Sequence, residues 1–390
     1  MITLQTADNA LKSFYLDAVT DALNVKANPF LAKVERTSTN VVGKDVKKVI
    51  KSGVNGGFGA GTETGDLPQA GSNKYIQFTA ALKNLYGTIE ISDKALRASA
   101  NNEGAFVNLL NEEMKSLVES ASYNFGRMLF GDGQGKVGKV ISLASDNLML
   151  LDSTRSLAEG MVVSFYTSDN KPITAAQNRR LISVDQKTKT IVLDGEEVDT
   201  SVIPNGSFAY IQGSKGNELT GLEAIFASSG TLYGANRSSS VMKPYCVSGV
   251  GEFDESEMQV AMDAIEANSG SKVNMIICSW GVRRALVEYY KKMNTVLNTV
   301  ELEGGFKALS YNGIPIVVDR FCPEGTMYLL NTDHFKIHQL CDWQWLEGED
   351  GKILKQVPGK PIYTATLVKY AELICERPCA QGKLSGITEK

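Results

Sequence analysis

The chain has 390 residues, more than one ordinary hydrophobic core requires, so two or three domains are expected. Its 43% hydrophobic and 22% charged residues are typical of a globular protein, and no apolar run approaches the roughly 18–20 residues that span a bilayer. The net charge of −4, with acids and bases interspersed, excludes a general electrostatic field for binding nucleic acid.

The N-terminal region lacks the basic and apolar regions of a secretory signal, so export is not expected. Residues 8–26 predict an amphipathic helix that Asn28-Pro29 ends. Its apolar stripe consists of Leu11, Phe14, Tyr15, Ala18, Val19, Ala22 and Leu23. A helix with this single stripe must dock on another part of the structure.

Residues 44–83 predict a projecting hairpin. Two strand-like runs, 44–51 and 74–82, flank a 22-residue tip (52–73) that contains seven glycines. A lone two-stranded hairpin is marginally stable in water, and ordering the tip would cost on the order of 20–40 kcal/mol of backbone entropy. The tip also carries Phe58, Leu67 and Pro68, which are unusual in a flexible linker. We therefore expect another molecule to order this hairpin.

Five lysines make the hairpin basic within an acidic chain: Lys44, Lys47, Lys48, Lys51 and Lys74. Two interpretations remain open. The lysines can simply protect a solvated edge from aggregation, or they can attach the hairpin to an acidic surface of a neighbouring copy.

Residues 103–130 predict a long one-sided helix, capped at its start by Asn101 or Asn102 and ended by Gly131. Its stripe is Phe106, Leu109, Leu110, Leu117, Val118, Ala121, Phe125, Met128 and Leu129, with Ser122 off the stripe. At 1.5 Å per residue it would be roughly 42 Å long. We expect a spine that lies on a sheet.

Six short β runs separated by turn residues follow between 137 and 215, and they predict an independent small barrel or sandwich. Residues 216–325 resemble an α/β region, in which Asp254-x-x-Glu257 predicts a capping box before a helix, and a strand over 272–278 leads into a Ser279-capped helix. The tail predicts strands at 326–330, 335–340 and 362–375, which must close a sheet upstream.

Catalytic signals are weak. The clusters Gly57-Phe-Gly59-Ala-Gly61 and Gly131-Asp-Gly133-Gln-Gly135 lack the strand–glycine–helix order of a phosphate-binding loop. His334 and His338, the only histidines, could form a metal pair with Cys341, but no fourth ligand has a recognisable spacing. The six cysteines show no C-x-x-C spacing, so free thiols are expected. We predict no enzymatic activity, no cofactor and no metal.

The order of these elements resembles tailed-phage (Caudovirales-type) major capsid proteins with the Hong Kong phage capsid fold. The matching segments are Asn28-Pro-Phe-Leu31, Gly57-Phe-Gly-Ala-Gly61, Leu67-Pro-Gln-Ala-Gly71, Tyr86-Gly-Thr-Ile-Glu-Ile-Ser-Asp93, Arg127-Met-Leu-Phe-Gly-Asp-Gly133 and Glu218-Leu-Thr-Gly-Leu222. The resemblance covers nearly the whole chain in element order and is most specific over residues 28–135.

The resemblance implies an α+β fold with five parts. They are an N-terminal arm (1–43), an extended loop hairpin (44–83), a peripheral domain with the spine helix (84–136 and 326–390), an inserted β-barrel-like domain (137–215) and an axial domain (216–325). Residues 254–293 would line the centre of each ring. The predicted intersubunit contacts are Lys44, Lys47, Lys48, Lys51, Phe58, Leu67, Pro68 and Lys74.

The resemblance also implies a function. Copies of the chain would form hexamers and pentamers of an icosahedral head around double-stranded DNA that they contact nonspecifically, without a membrane. Because no scaffold-like segment precedes Met1, a separate scaffolding protein is expected, with a portal and decoration proteins as further partners. The protein would reside in the virion capsid, and in the host cytoplasm during assembly. The alternatives are an encapsulin-like nanocompartment shell, a metal-dependent enzyme using His334, His338 and Cys341, and a monomeric binding module.

Overall fold

A computed structural model of the chain describes residues 28–95, 103–144, 147–293, 299–302, 306–348 and 351–390. The helix predicted over residues 8–26 lies outside these ranges. The described residues form two compact units. The first contains the described residues up to Ser122 together with Ile225–Asp319 and Pro323–Lys390, and the second contains Tyr123–Ala224 with Arg320–Cys322.

The helices among the described residues are α1 (Pro29–Lys33), α2 (Glu103–Met128), α3 (Leu222–Ile225), α4 (Glu255–Ser269) and α5 (Trp280–Lys292). The first strands are β1 (Glu35–Thr37), β2 (Val41–Val42), β3 (Asp45–Lys51), β4 (Tyr75–Ala81), β5 (Lys83–Ser92), β6 (Lys136–Leu143), β7 (Leu148–Leu151), β8 (Val162–Tyr166), β9 (Arg179–Asp185), β10 (Thr190–Leu193) and β11 (Phe208–Ile211). The remaining strands are β12 (Thr231–Leu232), β13 (Ala235–Asn236), β14 (Tyr245–Val247), β15 (Met275–Cys278), β16 (Thr299–Leu302), β17 (Phe306–Tyr311), β18 (Ile314–Val318), β19 (Thr326–Leu330), β20 (Phe335–Trp345), β21 (Lys355–Gln356), β22 (Ile362–Cys375) and β23 (Gly382–Ser385). None of the helices in these ranges is long and apolar enough to cross a bilayer.

The predicted spine is α2, which begins at Glu103 as expected and ends two residues before the predicted Phe130. Leu117 lies against Gly87 of β5 so closely that a Cβ there would be 2.8 Å from Leu117 Cδ1. The prediction of a helix on a sheet is thus confirmed. The prediction that Ser122 lies off the stripe is wrong, because Ser122 is 6% exposed. Its hydroxyl tolerates burial because it donates a hydrogen bond to the Val118 carbonyl at 2.9 Å.

The sheet under this helix has β22 at its centre. β22 pairs antiparallel with β5 along ten residues and with β20 on its other side, while β1 adds to β20 in parallel. The tail therefore closes a sheet with an upstream strand, as its apolar runs predicted. The last five residues of β22 are buried in succession, so both faces of the sheet are covered at this end of the strand.

A seven-stranded sheet forms a second core in the first unit, with the order β14-β23-β19-β15-β18-β17-β16. The predicted caps are present: Asp254 accepts from the Ser256 amide at the start of α4, and Ser279 accepts from the Val282 amide at the start of α5. The assignment of 326–390 to one peripheral domain stays a prediction, and its first strand, β19, pairs with β15 of the predicted axial region. β19 is buried along its whole length because it pairs with β15 and β23 inside this sheet.

The second unit contains a closed barrel in the order β10-β7-β6-β11-β8-β9, which confirms the six predicted strands. Its interior is filled by alternate residues such as Val140, Met149, Phe165 and Ile191, all fully buried. Outside the barrel, the guanidinium of Arg127 forms a buried bidentate ion pair with Glu218 in the same unit.

Candidate assembly site

The predicted hairpin is present, with β3 and β4 paired antiparallel from Asp45↔Ala81 to Lys51↔Tyr75. A short third strand, β2, pairs with the start of β3. Alternation places the side chains of Lys47, Val49 and Lys51 on an exposed outer face, whereas Val46 and Phe78 lie on the inner face and are 1% exposed.

The base of the hairpin is packed on its own chain. Phe78 contacts the ring of Tyr233 with 5.2 Å between centroids, and the Thr79 amide donates to the Tyr233 carbonyl at 2.9 Å. The expectation that the whole hairpin lacks support is therefore wrong for its two strands. Their inward-facing residues, such as Val46 and Phe78, find a partner surface within the protomer, whereas the tip has none among the described residues.

Tyr233 is the residue that fixes this base, and sequence reasoning missed it. It lies in the turn between β12 and β13 with φ of 51°, followed by Gly234 with φ of 75°. Its hydroxyl donates to the Leu373 carbonyl at 2.9 Å and accepts from the Cys375 amide at 3.1 Å. Burial raises the pKa of Tyr233 well above its usual value, so the hydroxyl remains a proton donor. The glycine after Tyr233, between the two-residue strands β12 and β13, was the available turn signal.

The predicted lysines differ in their surroundings. Lys48 points inward, is half-buried, and forms an ion pair with Glu376 of the same chain. Lys44, Lys47, Lys51 and Lys74 are exposed. The hairpin thus presents its positive charge mainly on its outer face and at the base of the tip.

Every residue of the tip except Ser52 and Gly57 is exposed, which includes all three predicted apolar contacts. The side chain of Phe58 is 96% exposed, that of Leu67 is 90% exposed, and Pro68 lies beside Gly59. Val54, which the sequence analysis did not single out, is 87% exposed. Exposed apolar groups grouped at the end of a projection are typical of an interaction surface.

Two of the tip glycines allow the two sides of the tip to touch. A Cβ on Gly71 would lie 2.4 Å from the Gly57 amide nitrogen and 2.4 Å from Asn55 Oδ1. The same oxygen accepts a hydrogen bond from the Gly57 amide at 2.9 Å. Glycine is required at these positions because two backbone segments cross in contact.

A cluster of polar groups on β20 and β22 surrounds one buried lysine. The ammonium of Lys369 is 2% exposed and donates to Asp342 at 2.5 Å and to Gln339 at 2.7 Å. Burial lowers the pKa of Lys369, and the Asp342 carboxylate opposes this effect. Arg36 reaches the other Asp342 oxygen at 3.2 Å, so this cluster ties β1 to the sheet.

The two histidines have separate environments. His334 Nε2 lies 3.0 Å from Ser271 Oγ, whereas His338 is fully buried and its Nδ1 donates to the Thr39 carbonyl at 2.8 Å. Within the ranges that the structure covers, no three His, Cys, Asp or Glu side chains approach closely enough to hold a metal ion. The proposed His334–His338–Cys341 site therefore has no support in this geometry. Gly133 and Gly135, with φ of 81° and 78°, serve as turn residues after α2.

No family model and no curated protein sequence matches the chain. Solved structures do match. The capsid asymmetric unit of cyanophage A-1(L) aligns with a TM-score of 0.57 at 12% identity, covering 93% of each chain. The capsid of an empty GTA particle aligns at 0.48 with 11% identity over 91% of this chain and 88% of that one. The holo-SrpI encapsulin complex from Synechococcus elongatus PCC 7942 aligns at 0.42 with 10% identity over 81% and 78%. The cyanophage alignment shows that this chain shares the fold of that capsid subunit, as the resemblance predicted.

Proposed function

We propose that this protein is a major capsid protein, a structural shell subunit with no catalytic role. Copies assemble into hexamers and pentamers that close an icosahedral head around double-stranded DNA. The observation that carries the proposal is the hairpin: its base is anchored to its own protomer, whereas a glycine-rich tip with exposed Phe58 and Leu67 has no partner surface within the described residues.

The physical reason is that a neighbouring subunit supplies what the tip lacks. Burying a side chain such as Phe58 or Leu67 contributes about 1.5–3 kcal/mol, which helps to offset the entropy of ordering the tip. Each subunit places its tip on one neighbour and accepts the tip of another, so the free energies of these contacts add over the whole particle. Lys44, Lys47, Lys51 and Lys74 meet acidic groups on the neighbour, and Pro68 stiffens the tip beside Leu67.

The proposal keeps the five predicted parts, with β19 placed in the seven-stranded sheet. The barrel is the inserted domain, and residues 254–293 surround the ring axis. A scaffolding protein, a portal and decoration proteins are partners at the shell, and the DNA is contacted nonspecifically. Assembly takes place in the host cytoplasm, and the product is the virion capsid.

Expression of the full chain followed by negative-stain imaging tests the proposal. Shells or ring-shaped oligomers of the chain are expected, with uniform size not required in the absence of the scaffolding protein, and a homogeneous monomer would contradict the proposal. The contents of particles purified from infected or lysogenic cells then separate two kinds of shell. Double-stranded DNA supports a phage head, whereas a protein cargo without DNA indicates a nanocompartment.

The contribution of the tip is tested by substitution within it. Phe58→Asp or Leu67→Asp should reduce particle yield at least about tenfold, because each removes roughly 1.5–3 kcal/mol of apolar burial per contact. Thr64→Asp adds the same charge to the same exposed tip and should assemble nearly normally. Normal particle yield from both apolar variants would show that the tip does not hold neighbouring subunits together.

A further inference from the structure

Outside the hairpin, the first unit contains an apolar groove of about 1100 Å³, which we call the α5 groove. Its walls are formed by α1, by one face of α5, and by β17 and β18 of the seven-stranded sheet. Residues along nearly the whole of α5 line it, from Trp280 to Lys291. The groove is therefore as long as this helix, roughly 20 Å at 1.5 Å per residue.

The α5 wall is a second face of a helix that already has a buried face. Val282 and Leu286 face the sheet core and are fully buried, whereas Trp280, Arg284 and Val287 recur at intervals of three and four on the groove side. Trp280 is 52% exposed there, with the Arg283 guanidinium 5.6 Å from its ring centroid. A large aromatic side chain left this exposed on an apolar groove is typical of a surface that another element covers.

The floor of the groove is apolar and its rim is mainly basic. Leu309, Pro315, Val317 and Val318 contribute to the floor. The charged lining residues are Lys33, Arg283, Arg284, Lys291 and Lys390, against Glu288 and Asp333. The occupant should therefore present an apolar stripe flanked by acids.

Residues 8–26 fit this description. They lie outside the described residues, and their sequence predicts an amphipathic helix with a single apolar stripe. From Leu11 to Leu23 the stripe would be roughly 18 Å long, close to the length of α5. Asp17 and Asp21 lie one turn apart on one flank of the stripe and complement the basic rim, whereas Lys12 and Lys26 lie nearer its other flank.

The short connection between residues 8–26 and the α5 groove indicates that the segment and the groove belong to the same chain. The described chain begins at Asn28, and the next residue, Pro29, is part of the groove wall. The connection from Lys26 to the wall spans at most roughly 10 Å, since each residue reaches about 3.3–3.6 Å. A tether this short gives the segment a high effective concentration at its own groove.

We propose that the α5 groove is the docking site for residues 8–26 of the same chain, held by the Leu11–Leu23 stripe over Trp280 and Val287. The interaction does not depend on shell assembly. Duplex DNA is the competing occupant for a basic rim, but the apolar floor and Trp280 favour an amphipathic helix, because a phosphate backbone gains nothing from apolar contact.

Disulfide trapping in the full-length chain tests the proposal, with Cys246→Ser to remove the exposed native thiol. Val19→Cys with Val287→Cys should form an intrachain disulfide at least about tenfold faster than Thr20→Cys with Val287→Cys, because the bond requires Cα atoms within roughly 7 Å. Thr20 lies off the stripe and is the matched control. Equal rates, or disulfides that form only between chains in dilute protein, would overturn docking within one protomer.

Hydrogen exchange on the full-length chain gives a second measure that needs no engineered cysteine. Amides in residues 8–26 should be protected, and Trp280→Ala should speed their exchange at least about fivefold by removing a contact to the stripe. Val260→Ala truncates a similarly exposed residue on α4 and should leave their exchange unchanged. Unprotected amides in the unaltered protein, or duplex DNA binding that Trp280→Ala and Arg284→Ala abolish while residues 8–26 stay unprotected, would refute the proposal.

Discussion

At the residue scale, three buried polar side chains connect distant parts of the chain. Tyr233, Lys369 and His338 all lie where the hairpin and β1 meet the β22 sheet, and each makes a contact to a distant part of the chain. Local periodicity does not predict such contacts, because the partners are far apart in the sequence.

Tyr233→Phe should lower the free energy of unfolding by about 1–3 kcal/mol, because the buried Cys375 amide and Leu373 carbonyl lose their partner. Denaturant unfolding measures the change. Tyr75→Phe removes a hydroxyl from an exposed position and should shift stability by less than about 0.5 kcal/mol. Equal effects from the two variants would show that the buried hydroxyl is unimportant.

His338 makes stability depend on pH. Burial lowers the pKa of His338, and the nearby Lys48 and Lys336 lower it further, while its bond to Thr39 opposes them. The unfolded chain therefore binds a proton at a higher pH than the folded chain does. Stability should fall as pH drops below about 6.5, the reference value, because only the unfolded state gains the proton there.

His338→Asn removes this titration and keeps a side-chain donor near the Thr39 carbonyl. The loss of unfolding free energy between pH 7 and 5 should be smaller in this variant than in the parent. The pKa of His334 is also lowered, mainly by burial, so His334→Asn serves as the comparison that reports the second histidine alone. An unchanged pH profile in His338→Asn would contradict the role given to His338.

At the element scale, patterns that repeat within a few residues predicted the structure well. The hairpin strands, the spine helix, the barrel strands and the caps at Asp254 and Ser279 all follow from alternation, three-and-four spacing or a capping residue. Contacts between partners that are distant in the chain do not follow from local spacing. Examples are the position of β19 between β15 and β23 and the ion pair of Lys48 with Glu376.

The tip of the hairpin provides a prediction about glycine. Gly71→Ala places a Cβ against the Gly57 backbone and should force the two sides of the tip apart, which lowers particle yield without changing the stability of the protomer. At Gly56 an added Cβ has no atom within 4 Å, so Gly56→Ala is the matched control and should assemble normally. Sedimentation of assembled material measures both.

At the scale of the whole molecule, the two compact units suggest that the barrel is a separable module. The Ile211 amide donates to the Gly135 carbonyl at 3.3 Å, so the two ends of the barrel segment lie side by side within the second unit. Its core residues pack mainly on one another. A chain that continues directly from one end to the other would leave few backbone groups unsatisfied.

Replacing Lys136–Ile211 with a short glycine-serine linker should leave a protein that still unfolds cooperatively. Circular dichroism during thermal unfolding measures this. The same linker inserted at the exposed Asp169-Asn170 turn controls for the added residues. If only the deletion variant is globally unfolded, the barrel is part of the main folding core.

The central claim is that sister subunits order the hairpin tip, and hydrogen exchange of residues 52–73 tests it most directly. In dilute protomer these amides should exchange at nearly unprotected rates, and in assembled particles they should be strongly protected. The strands β3 and β4 should be protected in both samples, because their inner face is buried on their own chain. Strong protection of the tip in the isolated protomer would contradict the account.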